Sequence, residues 1–179
     1  MANQVKWAFD PTHSEITFKV KHLMITNVKG EFKKFEASLV SDDEKLTNAV
    51  AKATIDVSSI STNNDDRDGH LKSADFFDVA NNATIEFEST SIEKFDDENG
   101  QLKGKLTIKG ITKEVSFDLE FGGISKDPWG NEKAGFSLNG KINRNDFGLT
   151  WNAALETGGV LVSEDVKIAA EIQFVKQPA

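Results

Sequence analysis

Cysteine is missing from the 179-residue sequence. Disulfide bonds, thiolate catalysis and cysteine-ligated zinc are therefore excluded. No stretch approaches the roughly 20 consecutive apolar residues of a transmembrane helix, so we expect a protein that is not integral to a membrane. The first seven residues lack the apolar segment of a signal peptide. We therefore expect a cytoplasmic protein, or a periplasmic one if a signal peptide has been removed.

Basic residues are outnumbered by acidic ones. The chain has 21 lysine and arginine residues against 29 aspartate and glutamate residues, which gives a formal net charge of −8. This balance argues against a nucleic-acid partner, and against binding to anionic membranes by net charge alone. At this length we expect a single domain over residues 1–179, with enough residues to bury a core.

Recognised catalytic and metal-binding patterns are also absent from the sequence. It has no Gly-x-Ser-x-Gly motif, no P-loop and no dinucleotide-binding glycine motif. Its three histidines are far apart and form no His-x-His pair, so no metal site is predicted. Residues 64–75 resemble a calcium-binding EF-hand loop, but Asn64 replaces the first aspartate and Asp75 the last glutamate. We predict no catalytic residue, no cofactor and no enzyme activity.

The sequence does contain long stretches in which apolar and polar residues alternate with a period of two. Residues 102–108, for example, place Leu102, Leu106 and Ile108 on one face and lysine or threonine on the other. This period is typical of strands with one buried and one solvated face, which form antiparallel sheets. We predict about eight strands, near residues 14–22, 27–40, 47–57, 83–95, 101–109, 112–123, 133–145 and 160–175.

Turn residues and breaks in the alternation separate these strands. Asn99-Gly100 is typical of a type I′ hairpin turn, and Lys109-Gly110 connects the next pair of strands. A change of parity within the second strand predicts a β-bulge near Lys33-Lys34. The alternation stops near residues 63–78, where Ser73 is a candidate N-cap of a short helical turn. We predict a short helical insert there that covers one end of the sheet.

Closing the sheet into a barrel would bury its apolar face and remove its exposed edges. An eight-stranded barrel is just wide enough either to be filled by side chains or to hold one ligand. Several inward positions carry only alanine or glycine, whose volume is too small to fill the barrel at native packing density. We therefore predict a hollow lumen that holds an apolar ligand. The predicted lining residues are Phe18, Val20, Ala51, Ala53, Ile55, Phe87, Leu106, Phe117, Leu119, Phe136, Leu138, Ile168 and Ile172.

Six motifs follow one another along the chain and span most of it. They are DPTHS at 10–14, FKVKH at 18–22, VKGEF at 28–32, RDGHLKSADFF at 67–77, GKLTIKGIT at 104–112 and RNDFGL at 144–149. In their order and spacing they resemble the YceI-like proteins, a family also described as polyisoprenoid-binding. The resemblance implies an all-β fold, an extended lipocalin-like antiparallel barrel. It further implies that the lumen takes the long apolar chain of an isoprenoid quinone, a polyprenyl phosphate or a similar lipid.

The resemblance also implies a polar set at the barrel rim, which consists of His13, Arg67, His70, Asp75, Arg144 and Asp146. We expect these residues to brace the helical insert against the rim. In an alternative interpretation, Arg67 or Arg144 meets a phosphate or quinone head group. The expected function is binding of such a lipid for storage or transport. An enzyme acting on a lipid or isoprenoid in the same lumen, and a solid-core structural or interaction protein, stay open as alternatives, as does a homodimer.

Overall fold

The computed structural model describes residues 4–23, 25–43, 45–152 and 162–178. Eleven strand segments form one antiparallel sheet, and helix α1 (Asp65–Lys72) follows the sixth of them. The strands are β1 (Val5–Phe9), β2 (Glu15–His22), β3 (Thr26–Phe32), β4 (Phe35–Ser41), β5 (Val50–Asp56), β6 (Ile60–Ser61), β7 (Thr84–Lys94), β8 (Asn99–Ile108), β9 (Ile111–Lys126), β10 (Glu132–Asn143) and β11 (Val162–Lys176).

The sheet closes into an eight-stranded barrel. Its circuit is β1-β4-β5-β7-β8-β9-β10-β11, and β11 pairs back with β1. The first part of β11 also pairs with β2, so β1 and β2 lie end to end along the same neighbour. In the same way β3 and β4 continue one another, and so do β5 and β6. The all-β barrel of about eight strands is thus confirmed, with three of its long strands divided into two segments.

The predicted bulge at Lys33-Lys34 is wrong, because the chain leaves the sheet there. Strand β3 ends before this pair and β4 begins after it. The backbone N–H of Lys33 donates to the carbonyl oxygen of Ser59 at 3.2 Å, and that of Lys34 to the Ser59 hydroxyl at 3.0 Å. The change of parity therefore marks a corner of the barrel rather than an extra residue in a strand.

The two hairpin turns predicted from glycine had different outcomes. Lys109-Gly110 is confirmed, because both residues have the positive φ (52° and 73°) that a type I′ turn requires. Asn99-Gly100 is wrong, because both residues belong to β8 and the turn lies at residues 95–98. One carboxylate oxygen of Asp96 accepts hydrogen bonds from the backbone N–H groups of Glu98 (2.8 Å) and Asn99 (2.7 Å). These bonds satisfy the turn without a glycine in its centre.

The helical insert lies where it was predicted, but its cap is different. Asn64 is the N-cap of α1, since its side chain accepts a hydrogen bond from the backbone N–H of Arg67 at 3.0 Å. Ser73 is the C-cap instead, and its hydroxyl donates to the carbonyl oxygen of His70 at 2.6 Å. Asp65, Asp66 and Asp68 of the EF-hand-like stretch occupy the first helical turn, where the helix dipole favours negative charge. Among the described residues, no helix is long and apolar enough to cross a membrane.

Buried apolar side chains form two separate clusters, one near each end of the barrel. The helix end carries α1 and the turn at residues 109–110, and its cluster includes Phe32, Val57 and Phe147. The far end carries the turns at 95–98 and 127–131. The far-end cluster consists of buried Trp7, Leu39, Leu46, Ala134 and Phe174. The buried apolar packing is therefore divided between the two ends of the barrel.

Candidate functional site

A cavity of about 460 Å³ extends along the barrel between the two clusters. Inward side chains of strands β2 to β11 form its wall, and this wall is almost entirely apolar. An engineered cavity of about 150 Å³ already binds benzene, and small-molecule sites span roughly 300–1,000 Å³. The lumen therefore has the size and the chemistry of a site for a large apolar ligand.

All thirteen of the predicted lining residues lie along this cavity. The alternation of apolar residues was sufficient to find them, because every second residue of a barrel strand faces the lumen. Ala51 and Ala53 line the cavity on β5, and their short side chains leave space in front of the wall. Contact of these thirteen residues with a lipid stays a prediction.

The sequence suggested that glycines on the inner face leave open space in the lumen. In the structure, two of these glycines are covered by phenyl rings instead. Neither Gly104 nor Gly140 opens directly onto the cavity. The ring of Phe87 lies against Gly104, and the ring of Phe117 lies against Gly140, so that a Cβ atom at either glycine would overlap a phenyl ring. Ala134, a small residue of β10, is fully buried in the far-end cluster. The glycines therefore let large rings lie close to the wall, which keeps the centre free.

Aromatic rings and acidic residues border the cavity at the far end. Phe136 stacks on Phe121 at 5.2 Å between ring centroids and meets Phe174 edge-on at 5.9 Å. Asp96 and the two acids after it also border the cavity here. Hydrogen bonds from the backbone N–H groups of Asn99 and Glu98 lower the pKa of Asp96. The far end therefore combines an apolar closure with a negatively charged turn.

Three aromatic residues close the helix end. His70, Phe76 and Trp151 line the cavity, and the ring centroid of His70 lies 4.8 Å from that of Trp151 and 5.1 Å from that of Phe76. Nε2 of His70 lies 2.9 Å from a carboxylate oxygen of Asp75, which fixes the orientation of the imidazole ring. This hydrogen bond lies within the insert and holds the ring of His70 in the aromatic cover.

Arg144 is buried at this end, with 3% of its surface exposed. Among the residues that the structure describes, its guanidinium donates hydrogen bonds to backbone carbonyl oxygens only, so it holds the chain after β10 close to the start of β11. Burial lowers the pKa of Arg144, and the nearby Glu164 carboxylate raises it. The four carbonyl acceptors are those of Leu149 (2.5 Å), Trp151 (2.8 Å), Ser163 (2.8 Å) and Val162 (3.3 Å).

Arg67 occupies a more open position on the same end of the cavity. Its Nε donates to the Thr62 hydroxyl at 2.7 Å and its guanidinium also donates to the Thr62 carbonyl oxygen at 2.8 Å. Thr62 in turn donates through its backbone N–H (2.8 Å) and hydroxyl (2.6 Å) to the buried carboxylate of Asp68. These bonds tie α1 to the end of β6, and Arg67 itself is exposed and borders the lumen at this end.

Three members of the predicted polar set, His13, Asp75 and Asp146, do not line the cavity. His13 lies between β1 and β2, where its Nδ1 is 2.9 Å from a carboxylate oxygen of Asp10. Asp146 is exposed in the 3₁₀ turn that follows β10. The six polar positions therefore do not form one site. Arg67, His70 and Arg144 reach the lumen, and Asp75 acts through His70.

Trp151 and Leu149 line the cavity but were not predicted to do so. They follow the end of β10, where no alternating pattern exists to assign them an inward face. Their position depends on Arg144, whose hydrogen bonds hold the carbonyl groups of both residues. The RNDFGL motif, which begins with Arg144, is the sequence feature that could have pointed to these two lining residues.

A closed antiparallel barrel with a ligand-sized apolar lumen defines a lipocalin-like binding architecture. The model of the YceI-like domain matches residues 7–174, so the chain belongs to this family, as the motifs predicted. A UPF0312 protein of Staphylococcus epidermidis is 48% identical over 170 residues, which cover 94% of this chain and 96% of that protein.

Two solved structures show the same fold. A Campylobacter jejuni YceI protein is 37% identical, with a TM-score of 0.76 over 88% of this chain and 90% of its own. A domain from Saccharophagus degradans, described as polyisoprenoid-binding, has a TM-score of 0.69 over 96% of this chain and 98% of its own. Its identity is 15%, so this second likeness shows the fold alone.

Proposed function

We propose that this protein binds a long-chain amphipathic lipid, such as an isoprenoid quinone or a polyprenyl phosphate, inside the barrel lumen and stores or transports it. The observation that carries this proposal is the apolar cavity of about 460 Å³ that follows the barrel between its packed ends. The fold shared with a domain described as polyisoprenoid-binding supports it.

The free energy that a chain gains by filling such a lumen supports the same proposal. At about 24 cal/mol per Å³, a void of this volume costs on the order of 10 kcal/mol in lost contacts. That cost is comparable to the whole net stability of an ordinary domain. A bound chain replaces the missing contacts, and each methylene group that leaves water contributes about 0.8 kcal/mol. Affinity then comes mainly from the tail, with few polar contacts needed.

The charges at the two ends favour one orientation of the lipid. The far end carries Asp96 and two further acids, which repel a phosphate. The helix end carries Arg67, whose guanidinium lies at the lumen and is partly free to donate to an oxygen-rich head group. We therefore orient the head group towards the helix end and the tail towards the aromatic rings of the far end.

Native mass spectrometry of protein purified from cells tests the proposal. We expect a co-purifying lipid, or uptake of one quinone or one polyprenyl phosphate per chain by the delipidated protein. The variant Ala53→Phe places a ring in the lumen and should reduce this uptake. The matched variant Thr54→Phe places the same ring on the exposed face of β5 and should bind as the wild type does. Absence of any lipid in both experiments would contradict the proposal.

The alternatives are weaker on structural grounds. The cavity argues against a solid-core structural protein. An enzyme would need a reactive group on the wall, and the pair His70–Asp75 is the feature that favours one. That histidine, however, is packed between Phe76 and Trp151 as part of the cover. A His70→Ala variant that kept lipid binding but lost turnover of the bound lipid would favour the enzyme.

A further inference from the structure

The turn between β2 and β3 presents large apolar side chains to solvent at the helix end. Leu23 is 39% exposed and Ile25 is 78% exposed. Leu23 has a φ of 55°, a left-handed conformation that glycine or asparagine adopts at lower cost than leucine. A bulky apolar residue is therefore present where turn geometry alone favours a small or polar one. The turn is closed by a hydrogen bond from the Ile25 N–H to the His22 carbonyl oxygen at 3.2 Å.

A row of four lysines crosses the outer face of the neighbouring strands. Lys29 on β3 pairs with Lys19 on β2, Lys19 with Lys167 on β11, and Lys167 with Lys141 on β10. All four side chains are exposed. Adjacent strands are about 4.8 Å apart, and like charges placed directly opposite one another destabilise a sheet. Their alignment in a chain of net charge −8 is therefore unexpected for a merely solvated surface.

Few carboxylates neutralise this lysine row. Lys141 forms an ion pair with Asp165 at 3.6 Å. Within the described parts of the chain, no ion pair involves the other three lysines of the row. Other acids close to this face are Glu164 beside Asp165 on β11, Glu31 two residues from Lys29 on β3, and Asp118 on β9. Lys21 adds a positive charge between the row and the apolar turn. Lys19, Lys29 and Lys167 thus make no direct ion pair with these carboxylates, and their ammonium groups are available to other anions.

The spacing between the apolar turn and the lysine row fits the interface of a lipid bilayer. At about 3.4 Å per residue along strands tilted by roughly 40°, Lys19 and Lys29, each four residues from the turn on its own strand, lie roughly 10 Å above it. Interfacial apolar groups enter a bilayer by about 5–10 Å. With Leu23 and Ile25 at that depth, the lysine ammonium groups reach the level of the phosphates. The lumen is bordered at this same end by His22 and Val162.

We propose that the apolar turn and the lysine row form a docking surface for a membrane that carries anionic lipid head groups. Charge complementarity selects this end over the other. Phe95 and Trp129 are also exposed at the far end, at 67% and 83%, but they stand beside Asp96 and Asp127, which an anionic membrane repels. The net charge of the chain argues against binding by charge alone, and here the lysine row acts together with apolar insertion. The docking surface does not depend on what occupies the lumen.

Vesicle flotation of the full chain tests this proposal. We expect binding to phosphatidylcholine vesicles that contain about 30 mol% phosphatidylglycerol, weakened by added salt, and little binding to phosphatidylcholine alone. The double variant Lys19→Gln, Lys167→Gln should lower the affinity about thirtyfold, since each lysine near such a surface contributes about 1 kcal/mol. The double variant Leu23→Asn, Ile25→Ser should lower it about tenfold or more. Asparagine suits the positive φ of residue 23, so this change does not strain the turn.

The matched controls lie on the other wall and at the other end of the barrel. Lys52→Gln with Lys103→Gln removes one exposed lysine of β5 and one half-buried lysine of β8. Phe95→Ser with Trp129→Ser removes the far-end apolar residues. Both controls should bind as the wild type does. Equal binding to neutral and anionic vesicles, no binding to either, or an equal loss in the control variants would overturn the proposal. Near-ultraviolet circular dichroism of each variant establishes that it is folded.

Discussion

The ring of Phe117 on β9 occupies the space in which a side chain at position 140 of β10 would begin, because Gly140 has no Cβ atom. Phe87 and Gly104 have the same relationship on β7 and β8. Both rings are thereby held against the wall of the barrel instead of crossing its centre. The width of the lumen therefore depends on glycine–phenylalanine pairs as much as on the alanines that face it.

Gly140→Ala should narrow the lumen and destabilise the protein. The new methyl group would overlap the Phe117 ring and approach the carbonyl oxygen of Ser116 at 3.2 Å, so the ring must turn towards the lumen. Overpacking of this kind typically costs about 1–3 kcal/mol in the free energy of unfolding. Urea unfolding measures that loss, and native mass spectrometry measures the expected fall in lipid uptake.

Gly135→Ala is the matched control on the same strand. A Cβ atom at this glycine has nothing within 4 Å, and its backbone conformation is open to other residues. We expect the free energy of unfolding to stay within about 0.5 kcal/mol of the wild type. If both variants unfolded and bound lipid alike, the contact between Phe117 and Gly140 would not determine the width of the lumen.

Arg144→Met should destabilise the helix end more than any exposed substitution in the same turn. Methionine keeps much of the side-chain volume but leaves buried carbonyl groups such as that of Leu149 without their donor. We expect a loss of about 3 kcal/mol in the free energy of unfolding, because unsatisfied buried acceptors cost about 1–3 kcal/mol each and some will find water. Urea unfolding checks this value.

Asp146→Ala, in the exposed part of the same turn, is the control for Arg144 and should change the stability by less than about 0.5 kcal/mol. Arg144→Lys should recover only part of the loss, since an ammonium group lacks the planar fork that reaches four carbonyl oxygens. Full recovery by lysine would show that charge, rather than the geometry of the guanidinium, holds the segment.

The alternating pattern was sufficient to predict the barrel and its wall, because period two fixes which face of a strand is inward. It could not show where the chain leaves the sheet. The corner at Lys33-Lys34 depends on Ser59, which is distant in sequence. Position 100 of β8 requires glycine because a Cβ atom there would overlap the carbonyl oxygen of Glu93 on β7. That contact exists only once β7 and β8 are paired, so the sequence could not distinguish this glycine from a turn glycine.

The polar part of the site was less predictable for a related reason. Motifs place His13 and Asp146 in the same family pattern as Arg67, but a motif carries no information on which end or face of the barrel a residue occupies. The cover formed by Trp151 depends on hydrogen bonds of Arg144 to backbone groups that carry no side-chain signature. Contacts of this type appear only in the folded chain.

Binding of a quinone should quench the fluorescence of Trp151. This residue lines the lumen at the helix end, whereas Trp7 is buried in the far-end cluster and Trp129 is 83% exposed. Quinones quench indole emission at short range, so the residue on the cavity wall should lose most. Fluorescence titration should show less quenching in Trp151→Phe and unchanged quenching in Trp129→Phe. Less quenching in Trp129→Phe together with unchanged quenching in Trp151→Phe would place the head group outside the helix end.

Stability in acid should depend on Asp10. Burial raises the pKa of this carboxyl, but hydrogen bonds from His13, Thr12 and Lys133 outweigh it and hold the pKa well below its ordinary value of about 4. As the pH falls below about 4, the unfolded chain takes up a proton here before the folded chain does, so stability is lost. Asp10→Asn should therefore be less stable than the wild type at pH 6, by on the order of 2 kcal/mol, and this difference should shrink towards pH 2. Urea unfolding between pH 2 and pH 6 measures the free energy of unfolding of the wild type and of Asp10→Asn. Parallel plots of this free energy against pH for the two proteins would assign the acid sensitivity to other groups.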